Sequence, residues 1–150
     1  MDLKKLMFLH KASGGGEEYP SNFIDLKVFE ANTNLTVNGE EVYGTINNFR
    51  NDGYKYALKK AIPSGTKVKC STSFYCEQNE TASGGMVFRL RYKDSGYVNV
   101  YTMLNSYSEW TPNTGTVTLE HDVDGFEIGW TNGPTNIMHM KDIKVEIVED

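Results

Sequence analysis

The chain has 150 residues, a mass of 16.9 kDa and a formal net charge of −5. That is the size of one domain, and 39% hydrophobic residues suffice for an ordinary core, which excludes a second full domain and general disorder. The acidic balance excludes duplex nucleic acid as the main partner, since phosphate binding needs clustered Lys and Arg, and no apolar run approaches the ~20 residues of a membrane span.

In chain order, residues 1–10 hold a short apolar stretch around Leu6, Met7 and Phe8 without a small-residue cleavage site, a poor signal peptide. Ala12-Ser13-Gly14-Gly15-Gly16-Glu17-Glu18 reads as a flexible connector. Residues 1–20 are therefore expected to form a flexible tail or linker, and residues 21–150 one folded domain. Beyond Phe23 nothing keeps apolar residues at helical spacing. Val68, Cys70, Thr72, Phe74 and Cys76 alternate with Lys67, Lys69, Ser71, Ser73, Tyr75 and Glu77, which predicts a strand. A loop over 79–85 follows, then Met86, Phe88, Leu90 and Tyr92 alternate with Val87, Arg89 and Arg91. Lys93-Asp94-Ser95-Gly96 predicts a hairpin turn into a return strand over 97–104. Val117 and Leu119 give shorter indication of another strand. Asp122-Val123-Asp124-Gly125 is a turn before Phe126, Ile128 and Trp130. Thr131-Asn132-Gly133-Pro134 breaks the chain, and Ile143, Val145 and Ile147 mark the last strand. Short strands at this spacing, with Gly, Asn and Asp turns and no crossover helices, predict an all-β fold, an antiparallel β-sandwich.

Two cysteines rule out a disulfide-rich scaffold. On one extended strand Cys70 and Cys76 stand about 20 Å apart, far beyond disulfide reach, so both are expected to be free, buried thiols. Nothing in the chain has the pattern of a catalytic centre. His10, His121 and His139 lack a nucleophile partner at a telling spacing, and there is no Gly-x-Ser-x-Gly or His-Glu-x-x-His motif. Glu120, Asp122, Asp124 and Glu127 are close in sequence, but a solvated turn accounts for them better than a glycosidase pair. Asn34-Leu35-Thr36 and Asn79-Glu80-Thr81 fit the glycosylation pattern, which abundant Asn and Thr produce by chance.

The aromatic residues are more informative: 9 Tyr, 7 Phe and 2 Trp, or 12% of the chain. Sugars present C–H faces that pack on flat rings and hydroxyls that need amide, carboxylate or guanidinium partners. Tyr75, Arg89, Arg91, Tyr97, Asn99 and Tyr101 fall on the polar parity of neighbouring predicted strands and offer that mixture on one sheet face. Trp110, at a strand entrance before Thr111-Pro112, serves either as a loop platform for a sugar or as a plug at the end of the core.

The order of several segments carries a resemblance. Gly53-Tyr54-Lys55-Tyr56-Ala57-Leu58 is followed by Gly65-Thr66-Lys67-Val68-Lys69-Cys70-Ser71-Thr72-Ser73-Phe74-Tyr75. A long hairpin comes next, then Trp110 ahead of Val117-Thr118-Leu119, and finally Met140-Lys141-Asp142-Ile143-Lys144-Val145. Over about residues 40–150 this resembles the jelly-roll carbohydrate-binding modules of the cellulose- and xylan-binding type, in the galactose-binding-like superfamily. The resemblance implies a jelly roll that is not an enzyme and that holds polysaccharide or surface glycan. It also implies a structural calcium between the N-terminal region and the closing strand, at Asp142 with Glu30 or Glu41 approaching it. Such a module tethers an enzyme to a polysaccharide, or serves in a phage tail or baseplate, acting extracellularly or on the virion surface. The expected partner is carbohydrate, with no nucleic acid and no membrane insertion. The alternative is a structural or assembly domain that buries the same aromatic face in an oligomer; a small glycosidase would need two carboxylates converging in one cleft.

Overall fold

A computed structural model describes residues 18–32, 35–45, 55–76, 85–104, 109–130 and 137–149. Among them are a 3-10 helix, Leu26–Ala31, and nine strands: β1 Thr36–Asn38, β2 Glu41–Thr45, β3 Tyr56–Ile62, β4 Lys67–Cys76, β5 Gly85–Tyr92, β6 Tyr97–Leu104, β7 Thr111–Thr118, β8 Val123–Trp130 and β9 Ile137–Ile147. They form two antiparallel sheets, β1-β2-β9-β4-β7 and β3-β8-β5-β6. The fold is the predicted antiparallel β-sandwich.

Alternation explains the layering. On β4, Val68, Cys70, Thr72 and Phe74 are buried, while the lysines and serines between them are not. Facing them from the other sheet are Phe88, Leu90, Phe126 and Ile128. Two inner faces that each alternate with solvated residues give a sandwich core about 10 Å thick. The predicted hairpin joins β5 to β6, with Gly96 at φ 92 and the Tyr92 amide donating to the Gly96 carbonyl.

Three features extend what the alternation foretold. The chain between Trp110 and Val117 is strand, although its residues are polar. Among the described strands β7 lies at a sheet edge and pairs only with β4, so Thr111–Thr118 needs little apolar content, and Pro112 is tolerated there. Gly115 allows this edge to be covered: a Cβ there would lie 2.5 Å from the Val100 carbonyl oxygen of β6.

The last strand begins at Ile137, six residues before Ile143, and contains a bulge. The pairing of β4 with β9 shifts register between Ser71 and Ser73, and Asp142 takes the left-handed conformation at φ 54. Thr72 Oγ1 donates to the Lys141 carbonyl at 3.0 Å and secures the irregularity. Past the bulge, Asn22 docks the N-terminal segment. Its Oδ1 accepts from the Val145 amide at 3.1 Å and its Nδ2 donates to the Ile143 carbonyl at 3.1 Å. The Phe23 amide donates to Val145 in one sheet and its carbonyl accepts from Lys59 in the other. Phe23 is fully buried, and Tyr19 packs against it with centroids 6.0 Å apart.

Candidate ligand-binding face

The bulge decides which β9 side chains reach the outer face of the five-stranded sheet. Before it, Met138 and Met140 are buried, so His139 and Lys141 face outward; after it, Ile143 and Val145 are buried. In register, His139 stands opposite Tyr43 of β2 on one side and Tyr75 of β4 on the other. The β4–β7 pairing, Ser73 opposite Pro112, carries on to set Trp110 opposite Tyr75. Four rings from four neighbouring chain segments thus lie in one row, about 14 Å long at ~4.8 Å per strand.

The rings touch along that row. Centroids are 5.1 Å apart for Tyr43–His139, 5.1 Å for His139–Tyr75 and 5.6 Å for Tyr75–Trp110. Lys141 Nζ lies 4.2 Å from the Trp110 ring centroid, a cation–π contact. Glu41 pairs with His139 Nδ1. Trp110 is 37% exposed, so it lies at the sheet margin and does not plug the end of the core. The row combines flat apolar surface, phenol hydroxyls, an ammonium and a carboxylate, and each can serve a polyhydroxylated ring.

The predicted site residues do not share one face. Tyr75 and Trp110 belong to this row. Arg89, Arg91, Tyr97 and Asn99 lie on β5 and β6, on the outer face of the other sheet, across the sandwich. Tyr101 is opposite Phe88 in register while Asn99 is opposite Arg89, because the pairing slips by one residue between them. The Tyr101 side chain lies outside the described residues. Tyr43, His139 and Lys141 escaped sequence reasoning. Their signal was weak: His139 and Lys141 share odd numbering with the buried Ile143 and Val145, and only the bulge separates them.

Three of the acids near β8 are engaged in the fold. Asp122 Oδ1 accepts from the Ser64 amide at 2.9 Å, Asp124 pairs with Lys55, and Glu127 lies between Arg89 and Arg91. Asp142, the expected metal ligand, is exposed and shares a shallow cavity with Glu40, Ser71 and Lys144, whose ammonium pairs with Glu146. Glu41 is turned to His139 instead. Among the described residues no three His, Cys, Asp or Glu side chains converge as a metal site, and the two carboxylates at this cavity fall short of the six to eight oxygens that calcium takes. The two glycosylation-pattern asparagines, Asn34 and Asn79, lie outside the described residues.

No protein-family model matches the sequence, and no curated protein matches it. Solved structures do. A CBM4 carbohydrate-binding module shares 18% identity over 76% of this chain and 75% of its own, with a TM-score of 0.52. A family 29 carbohydrate-binding module shares 13% identity over 75% of this chain and 71% of its own, with a TM-score of 0.50. The likeness is one of fold. The carbohydrate-binding-module sandwich foreseen from segment order is thus the architecture observed, and the row of rings lies on an outer sheet face of it. Among the described residues no helix is long and apolar enough to cross a membrane.

Proposed function

We propose that this chain is a non-catalytic carbohydrate-binding module that docks a glycan along Tyr43, His139, Tyr75 and Trp110. The observation that carries the reading is the register: neighbouring segments each place a ring in one row, with Lys141 and Glu41 beside it. A sugar chain laid along the row gains stacking from successive rings and hydrogen bonds from the hydroxyls and charged groups between them. The sandwich shared with CBM4 supports the reading. Reversible docking of this kind suits a tether whose avidity comes from several copies, either an enzyme appendage or a phage tail or baseplate module, working extracellularly or on the virion surface.

The test is a glycan array with the purified chain, followed by calorimetric titration of the selected glycan. Trp110→Ala and Tyr75→Ala are each expected to weaken binding tenfold or more, about 1.4 kcal/mol, the loss of one stacked ring. Because Trp110 is at the margin, its variant is expected to melt within a few degrees of the natural chain. An array with no positive glycan, or unchanged affinity in both variants, would overturn the proposal.

A further inference from the structure

The outer face of the four-stranded sheet carries a second cluster with different chemistry. Arg89 and Arg91 stand two residues apart on β5. Arg89 is in register with Asn99 and Glu127, and Arg91 with Tyr97 and Gly125. Arg89 Nε donates to Asn99 Oδ1 at 2.8 Å, and its guanidinium carbon lies 4.3 Å from the Tyr97 ring centroid. The Arg91 guanidinium carbon lies 5.8 Å from the same ring. Glu127 Oε2 is 3.6 Å from Arg89 Nη1 and 3.3 Å from Arg91 Nη1.

Charge and exposure are unequal within the cluster. Two guanidiniums share one carboxylate, and that carboxylate's side chain is only 9% exposed, against 27% and 25% for the arginines. Solvent therefore meets cation more than anion, on a chain whose net charge is −5. Among the described contacts Arg91 spends a single N–H, on Glu127, from a fork that carries several. Tyr97, 45% exposed, is held by Arg89 and still presents ring to solvent.

We infer that this face is a second binding site, for a glycan that bears carboxylates: a chain of uronic acids. The guanidinium fork of Arg91 matches a carboxylate in plane and charge, and Tyr97 beside it takes the pyranose face. Asn99 and Glu127 hold the arginines in position, so little side-chain freedom is lost on binding. The choice of a sugar over other anions rests on the module reading above. The charge excess sets this face apart from the aromatic row across the sandwich.

The experiment titrates the whole chain with polygalacturonate, with alginate and with fully methyl-esterified polygalacturonate, which keeps the backbone and loses the charge. At least one acidic polymer is expected to bind, esterification to weaken binding tenfold or more, and added salt to weaken it further. Arg91→Ala is expected to abolish binding and Arg91→Lys to restore part of it. Tyr97→Ala, at an exposed position, is expected to lose tenfold without unfolding and serves if Arg91→Ala fails to fold. Trp110→Ala is expected to leave uronate binding unchanged, so failure of the aromatic row and failure of this site are read separately. Equal binding of the acid and ester forms, no binding of either acid, or unchanged affinity in both Arg91→Ala and Tyr97→Ala would overturn the inference.

Discussion

Cys70 shows how a strand's parity fixes a side chain's chemistry. It is fully buried on β4 between Val68 and Phe74, and burial pushes its thiol far above the ordinary value of 9.0. Its thiolate is therefore scarce in the folded chain, and a thiol reagent is expected to label Cys70 only as the protein unfolds; labelling within minutes under native conditions would contradict the assigned face. The same shift has a sign in stability. The folded state holds the thiol proton more tightly than the unfolded chain does, so the stabilisation is complete below the ordinary thiol value and declines as pH rises beyond it. Burial also raises Tyr92, helped by the Glu120 and Asp94 charges, so the decline continues through the tyrosine range. Melting temperature measured from about pH 8 to pH 11 is expected to fall, and to fall less steeply in Cys70→Ala. The companion expectation for Cys76 concerns a side chain outside the described residues.

At the scale of elements, the β6–β7 closure and the bulge in β9 are tight spots. Gly115→Ala would drive a methyl into the Val100 carbonyl, which is backbone and cannot swing aside. Denaturant unfolding is expected to show a loss of about 2–4 kcal/mol, and a loss below about 1 would mean that β6 relaxes away from the edge. Asn22 joins the N-terminal segment to β9 through two hydrogen bonds and also accepts from the Ile24 amide at 3.0 Å. Asn22→Ala is expected to cost about 2–3 kcal/mol by the same measurement. At the bulge, Asp142 is an L-residue at φ 54, a conformation that glycine adopts without strain. Asp142→Gly is therefore expected to leave stability equal or raised by up to about 1 kcal/mol, with or without calcium. A drop seen only in the presence of calcium would show that Asp142 is a ligand after all.

For the whole molecule, the exposed large hydrophobic side chains among the described residues are Tyr97, Trp110 and Ile137. Tyr97 and Trp110 lie on opposite sheets, so they cannot add up to one patch. A stable interface needs roughly 800 Å² from each partner. Sedimentation is expected to give a monomer near 16.9 kDa. A stable trimer would favour the assembly reading over a glycan-binding one.

Period-two alternation alone determined the strand class, the β5–β6 hairpin and the inward faces of β4, β5 and β8, because a half-buried strand writes its burial into every second residue. The order of segments was enough to suggest the carbohydrate-binding-module sandwich. Alternation is blind to three things that tertiary structure decided. It does not say which sheet a strand joins, so Tyr75 and Arg91, both outward, looked like neighbours although they lie across the sandwich. It does not register an edge strand such as β7, whose polar residues need no burial pattern. Nor does it survive an extra residue: the slip in β9 brought His139 and Lys141 into the outward set. The aromatic row exists because one residue at Asp142 reverses the parity of half a strand, and only pairing with β4 reveals that reversal.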